Sequence, residues 1–125
     1  MPPFRSLKVW QHAQRLAAEC GRAAKRFPDV DQKVLAGQLL RASTSVPLNI
    51  AEGSARKGSK EFRRYLDIAR GSLAEVESAL DLARELEYID ATEYARLDAI
   101  ATETAKTLWG LLRKVGDTAT RYPTP

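Results

Sequence analysis

The sequence is poor in the side chains from which most catalytic and metal sites are built. Its 125 residues include one cysteine, Cys20, and one histidine, His12. A single cysteine cannot form an intramolecular disulfide, and one Cys with one His cannot supply a structural zinc site. His12 is also out of helical phase with Cys20, and the Glu-x-x-His pairs of di-iron bundles are missing. We therefore expect no metal, no cofactor and no enzymatic activity.

Long apolar runs and signals for β-structure are missing as well. No stretch approaches the 18 consecutive apolar residues of a transmembrane helix, and the N-terminal region lacks the apolar core of a signal peptide. We therefore expect a cytoplasmic protein with no membrane partner. Because the sequence has neither alternating apolar and polar residues nor Asn-Gly or Asp-Gly hairpin signals, a sheet-based fold is disfavoured.

Helical periodicity is present along most of the chain. Apolar residues at spacings of three and four predict four amphipathic helices, over residues 6–26, 30–53, 59–89 and 90–116, followed by a frayed tail over 117–125. The third segment has a strict four-three seam, made by Phe62, Leu66, Ala69, Leu73, Val76, Leu80 and Ala83. The sequence therefore predicts one domain with an all-α fold, an antiparallel up-down-up-down four-helix bundle.

A few residues have specific predicted roles within these helices. Cys20 is in phase with the apolar stripe of the first helix, which predicts a core position. Pro47 lies inside the second segment, where it predicts a kink or a break. Ser59 and Asp90 are predicted to be the N-caps of the third and fourth helices, and Gly116 is predicted to be the C-cap of the fourth.

The charge of the chain is unevenly distributed. Residues 1–70 contain 14 Lys and Arg against 6 Asp and Glu, a net charge of +8, whereas residues 71–125 contain 6 against 10, a net charge of −4. Six cations are concentrated around the second connection and the start of the third helix: Arg56, Lys57, Lys60, Arg63, Arg64 and Arg70. Helical phase places Lys60, Arg63, Arg64 and Arg70 on a face directed away from the core.

The third helix is basic at its start and acidic at its end, the reverse of what the helix dipole favours. Two functions explain such an arrangement. One is the binding of nucleic-acid phosphates at the basic end, and the other is head-to-tail contact between identical subunits. An ordinary solvated helix face is the third interpretation.

A second group of residues is polar and borders the apolar stripe of the second helix. Arg41, Ser45, Asn49 and Glu52 follow one another at spacings of four, four and three. Polar side chains so close to a core need partners. One interpretation is an interhelical hydrogen-bond network that fixes register and satisfies the carbonyls freed by Pro47. The other is the floor of a small binding site completed by Ser72 or Arg70.

Four stretches of the sequence form a pattern: Phe4-x-x-Leu7-x-Val9-Trp10-Gln11, Phe27-Pro28, Gln38-Leu39-x-Arg41-Ala42-x-x-Ser45-Val46-Pro47-x-Asn49-Ile50-Ala51-Glu52-Gly53 and Ala69-x-Gly71-Ser72-Leu73-x-Glu75. With this pattern, residues 4–90 resemble the bacterial four-helix-bundle family of ribosomal RNA intervening-sequence proteins. A related branch is the accessory variability determinant protein of diversity-generating retroelements. The stretch from Asn49 to Gly53 and the upstream Arg-Ala-x-x-Ser are the specific part of the resemblance.

The resemblance implies a left-handed bundle that assembles into a homopentameric ring, without enzymatic activity. In the retroelement branch it also implies a basic surface that binds nucleic acid and a reverse transcriptase. The residues that match the polar pattern of the family are Arg41, Ser45, Asn49, Glu52 and Ser72, whereas Arg56 alone of the basic residues belongs to it. We therefore expect a homo-oligomeric protein that binds RNA or DNA through its basic surface. A structural or protein-interaction module without nucleic-acid binding is the alternative.

Overall fold

The computed structural model describes residues 3–28 and 32–119, and all regular structure within these ranges is helical. A short 3-10 turn, Phe4–Ser6, precedes α1, Lys8–Ala24, and a π-helical turn, Gln32–Ala36, runs into α2, Gly37–Ala55; α3 is Ser59–Glu85 and α4 is Ala91–Ala119. The prediction of an all-α fold with four long helices is confirmed. None of the described helices is both long enough and apolar enough to cross a bilayer.

The core lies where the four apolar stripes meet. Both α1 and α3 pack against α2 and α4, which gives each helix two neighbours. The largest fully buried side chains come from all four helices and include Leu16, Leu39, Leu66, Leu80, Leu97 and Leu108. Burying one such side chain contributes about 1.5–3 kcal/mol relative to leaving it exposed. Cys20 is fully buried among them, as predicted, and burial raises the pKa of its thiol to about 12.

The helix that contains Pro47 is continuous, so the predicted break is absent. Pro47 has no N–H, and its position removes one main-chain hydrogen bond from the helix. Side chains reinforce the turns on both sides of it. Thr44 Oγ1 donates to the Leu40 carbonyl at 2.9 Å, and Asn49 Nδ2 donates to the Ser45 carbonyl at 2.8 Å. Because Pro47 is also buried, packing holds the helix together where local propensity favours a break.

The ends of α3 and α4 differ in part from the predicted ones. α3 ends at Glu85 rather than at residue 89, because Glu87 adopts a φ of 63° and the N–H of Tyr88 turns back to the Ala83 carbonyl at 2.8 Å. Asp90 caps α4 as predicted, since its Oδ1 accepts from the N–H of Glu93 at 2.8 Å. α4 continues to Ala119, beyond the predicted end at 116. The predicted fraying of 120–125, like the predicted helix start at 30–31, lies outside the described residues.

Two predicted caps, Ser59 and Gly116, are wrong, and Gly53 has a role in packing that was not predicted. The N-cap of α3 is Gly58, with a φ of 85°, and Ser59 is already helical. Gly53 belongs to α2, and a Cβ built there would lie 2.7 Å from Tyr65 Cβ, so the close approach of α2 to α3 requires glycine at this position. Gly116 is inside α4 instead of ending it, and a Cβ there would overlap the guanidinium of Arg63.

Candidate nucleic-acid interface

The six predicted cations lie along the connection from α2 to α3 and the first three turns of α3. We call this set the basic corner: Arg56, Lys57, Lys60, Arg63, Arg64 and Arg70. The short connection and the first turns of α3 supply all six, and the left-handed backbone of Gly58 makes the sharp change of direction between the helices. Every side chain of the corner except Arg63 is exposed.

All four arginines of the basic corner lie within 4.0 Å of an acid close to them in sequence, and Arg63, 3.8 Å from Asp67, is the one that is mostly buried. Arg56 lies 2.6 Å from Glu52, Arg64 lies 3.2 Å from Glu61, and Arg70 lies 3.5 Å from Asp67. The hydrogen bond from Arg64 lowers the pKa of Glu61. Exposed pairs of this kind contribute little to stability and are screened by salt, so a phosphate can compete for these arginines.

The two lysines of the basic corner are differently placed. No acid of the described residues lies within 4.0 Å of Lys57 or Lys60, and both side chains are exposed. The six cations have three acidic partners, Glu52, Glu61 and Asp67, so the corner keeps an excess of positive charge. This excess is what a polyanion requires.

Tyr65 orders two of the arginines. The guanidinium carbons of Arg56 and Arg64 lie 5.2 Å and 4.6 Å from the centre of its ring. Arg56 Nη2 also donates to the Tyr65 hydroxyl at 3.1 Å. Cation–π contacts at exposed sites contribute about 0.5–1 kcal/mol each. Tyr65 therefore holds two positive groups beside each other at the surface, against their mutual repulsion.

Arg63 does not face away from the bundle, and its predicted orientation is wrong. Its side chain is only 16% exposed, and Nη1 donates to the Leu112 carbonyl of α4 at 2.7 Å. The guanidinium fits there because Gly116 has no side chain. A long arginine stem can follow the surface of the bundle until its head finds an acceptor, which helical phase alone does not reveal. Arg63 thus ties α3 to α4 and is not available to a ligand.

The polar residues that border the apolar stripe of α2 make three different sets of contacts. Ser45 Oγ and Ser72 Oγ lie 2.8 Å apart and join α2 to α3. Asn49 Nδ2 donates to Ser45 Oγ at 2.9 Å, which completes a three-residue network. Glu52 belongs to the ion pair with Arg56 instead, and Arg41 folds back over Gly37 at the surface. The network matches the structural interpretation of this group, since the bond between Ser45 and Ser72 links two helices.

The sequence pattern, apart from Phe4 at its start, lies inside a longer similarity. A family model described as 23S rRNA-intervening sequence protein matches residues 5–110, well over half of the chain. This chain belongs to the 23S rRNA-intervening sequence protein family. The family resemblance seen in the sequence is thereby confirmed. No protein of curated function matches the sequence.

A solved structure has the same fold as this intervening-sequence family member. It is the 1.70 Å crystal structure of a protein with unknown function from the S23 ribosomal protein family of Bacteroides thetaiotaomicron. The two chains are 28% identical and superpose with a TM-score of 0.78, over 84% of this chain and 95% of the other. The similarity therefore concerns nearly the whole bundle of the second protein.

The opposite end of α3 in this intervening-sequence family protein is acidic and also meets α4. Tyr94 donates from its hydroxyl to Asp81 Oδ1 at 2.6 Å, which raises the pKa of Tyr94 to about 12. Burial, together with the charges of Asp98 and Asp81, raises the pKa of Glu77. In residues 3–28 and 32–119, no group of His, Cys, Asp and Glu side chains is arranged to hold a metal ion.

Trp109 is a surface residue that the sequence reasoning missed. It lies on α4, is 52% exposed, and lines a pocket on the α3–α4 face together with Arg70 of the basic corner. The available signal was its position directly after Leu108, which places it about 100° around the helix from that apolar residue. A large aromatic residue beside a stripe, rather than in it, is left in contact with solvent when the bundle forms.

Proposed function

We propose that this protein is a non-enzymatic, cytoplasmic, homo-oligomeric bundle that binds RNA or DNA through the basic corner. The observation that carries the proposal is the excess of exposed cations at one end of α3, where Lys57 and Lys60 have no acid within 4.0 Å among the described residues. Binding of phosphates by such side chains releases condensed counterions. RNA is the favoured ligand because the family is named for intervening sequences in 23S rRNA.

Self-association into a ring, for which we propose five subunits, is supported by a different surface. Leu40 and Leu48 of α2 are 47% and 67% exposed. A groove of about 540 Å³ next to Leu40 is lined mainly by small residues of α1 and α2, including Ala17, Ala18 and Gly21. Exposed apolar side chains beside a groove of small residues are typical of protein interfaces. The up-down-up-down course and left-handed twist of each subunit belong to the same proposal.

The alternative is a structural or protein-interaction module that binds no nucleic acid. The alternative is favoured because the arginines of the basic corner already have partners within the chain. Arg56, Arg64 and Arg70 have acidic neighbours, and Arg63 donates to a carbonyl of α4. In this alternative the charges serve contacts between proteins. A reverse transcriptase is the proposed protein partner where the gene lies beside a retroelement.

Salt-dependent binding of labelled single-stranded RNA and duplex DNA separates the two functions. We expect the logarithm of the affinity to fall linearly with the logarithm of salt concentration. The variant Lys57→Glu/Lys60→Glu should weaken binding and reduce the slope, by about 0.7–0.9 for each phosphate that the protein no longer neutralises. The variant Arg15→Glu/Arg84→Glu makes the same change in net charge away from the basic corner and should bind like the wild type.

Two results would decide against nucleic-acid binding. One is the absence of any binding at low salt, and the other is equal loss in both double variants, which would indicate a nonspecific effect of net charge. Light scattering of size-fractionated protein tests the assembly separately. A pentamer has five times the 13.9 kDa mass of the chain, and a mass of one chain at all concentrations would refute self-association.

A further inference from the structure

The pocket beside Trp109 has an apolar floor and an open aromatic wall. It is lined by Arg70, Leu73, Ala74, Glu77, Ala105, Leu108 and Trp109, and its volume is about 160 Å³. Leu73 and Leu108 are buried and form the floor. Ala74 and Ala105 are small, which leaves room beside the indole of Trp109. The result is a recess with space for a flat group against an aromatic ring.

The volume of the pocket fits one ring of a ligand. An engineered protein cavity of about 150 Å³ accommodates benzene, so about 160 Å³ is enough for a single six-membered ring. Exposed aromatic side chains are the usual platforms on which proteins stack unpaired bases. A base inside a duplex is stacked on its neighbours and cannot enter such a recess, whereas an unpaired base of a single strand can.

Both positively and negatively charged side chains lie in or near the pocket. Arg70 lines it and is exposed, which allows its guanidinium to reach a phosphate next to a bound base. Lys106 and Arg113 are exposed on α4 within about one turn of Trp109 on either side. Glu77 is the acidic group of the lining, and a carboxylate accepts hydrogen bonds from an exocyclic amine such as N4 of cytosine.

We infer that the pocket lined by Trp109, Arg70 and Glu77 binds one unpaired base of single-stranded nucleic acid and favours cytosine. The base stacks on Trp109, its amine donates to Glu77, and the adjoining phosphate contacts Arg70. Uracil and thymine have a carbonyl oxygen where cytosine has its amine. Because a carbonyl oxygen and a carboxylate are both hydrogen-bond acceptors, these two bases cannot donate a hydrogen bond to Glu77 from this position. The inference rests on the proposed nucleic-acid binding and extends it, because Arg70 belongs both to the basic corner and to the pocket.

The fluorescence of Trp109 reports directly on the pocket. The variant Trp10→Phe leaves Trp109 as the sole tryptophan and keeps an aromatic ring at the contact with Phe4. Titration of this variant with oligo(dC) should quench its emission, whereas a DNA duplex of equal length should bind without comparable quenching. We expect oligo(dC) to bind about tenfold more tightly than oligo(dT) of the same length.

Two further variants separate the stacking from the specificity. Trp109→Ala should weaken binding of oligo(dC) by roughly 5- to 150-fold, the range for losing one stacked base, while duplex binding stays unchanged. Trp109→Phe should restore most of this loss. Glu77→Gln replaces the carboxylate by an amide that both donates and accepts, so it should reduce the preference for oligo(dC) over oligo(dT). A cooperative thermal unfolding transition and a wild-type far-UV circular dichroism spectrum show for each variant that the bundle is intact.

The outcomes distinguish the pocket from the basic corner. If Lys57→Glu/Lys60→Glu weakens binding but Trp109→Ala does not, the corner binds nucleic acid and the pocket inference is wrong. If the wild type binds no oligonucleotide at low salt, the proposed function fails and the inference fails with it. If Trp109→Ala instead lowers the mass of the assembly, the pocket is a contact between subunits, which also overturns the inference.

Discussion

Two glycines in neighbouring helices should respond in opposite directions to the same substitution. Alanine in the interior of a helix is more stable than glycine by about 0.5–1 kcal/mol, because it restricts the unfolded chain. Gly71 of α3 has open space around the position of a Cβ, so Gly71→Ala should gain this amount. At Gly53 of α2 the new Cβ would lie 2.7 Å from Tyr65 Cβ and 3.3 Å from the Phe62 carbonyl oxygen.

The contacts at Gly53 determine the size of the loss. Carbon atoms pack best at about 3.5–4.0 Å, so α2 and α3 must separate by up to about 1 Å to admit the methyl group. Overpacking of this kind costs about 1–3 kcal/mol. Because the backbone gain is similar in both variants, their difference in free energy of unfolding measures the steric cost at Gly53. We therefore expect Gly53→Ala to be less stable than Gly71→Ala by about 1–3 kcal/mol.

Urea unfolding followed by far-UV circular dichroism measures this difference. The protomer concentration must be the same for both variants, because assembly makes apparent stability concentration-dependent. Equal slopes against urea would show that both unfold from equally compact states. If Gly53→Ala is as stable as Gly71→Ala, the helices do not approach as closely as described, and the steric explanation for glycine at position 53 is wrong.

Two other predictions concern polar groups between helices. Ser72→Ala should lower the free energy of unfolding by about 1 kcal/mol, because Ser45 loses its partner on α3; a double-mutant cycle with Ser45→Ala that gives no coupling would contradict this. Glu77→Gln should stabilise the protein at neutral pH, because burial and two nearby acids raise the pKa of Glu77 above its ordinary value of 4.5. The charged form of Glu77 destabilises the folded wild type at every pH above the folded-state pKa of this carboxyl group, and the effect disappears as Glu77 becomes protonated. The free energies of unfolding of the variant and the wild type should therefore become equal below about pH 4.5. A difference in free energy of unfolding that stays constant with pH would refute this prediction.

Most of the helical architecture was predictable from the sequence, because the apolar stripes that identify the helices also fill the core. Leu66 and Leu80 show this directly, since both belong to the predicted seam and both are buried. Pro47 shows the limit of local rules. Its effect on α2 depends on packing against neighbouring helices, which the pattern of a single helix does not reveal.

The candidate interface was only partly predictable. Sequence spacing identified the cations of the basic corner, but it could not show which of them remain exposed. The outcome for Arg63 depends on Leu112 and Gly116, residues on another helix, so it required the structure. Trp109 needed the same information, because the opposite side of its pocket is formed by residues of α3. Helical periodicity does not predict the placement of a side chain when that placement depends on residues of a second helix.

The contact between Arg63 and Gly116 has a consequence for the evolution of this fold. The guanidinium occupies the volume that any side chain at position 116 would need, so the two positions constrain each other. A larger residue at 116 leaves no room for Arg63 in its present rotamer, and it would force the arginine out to solvent or favour its replacement by a shorter side chain. Related chains should therefore vary at these two positions jointly, and a relative that lacks this glycine should present an additional free cation on the surface of the bundle.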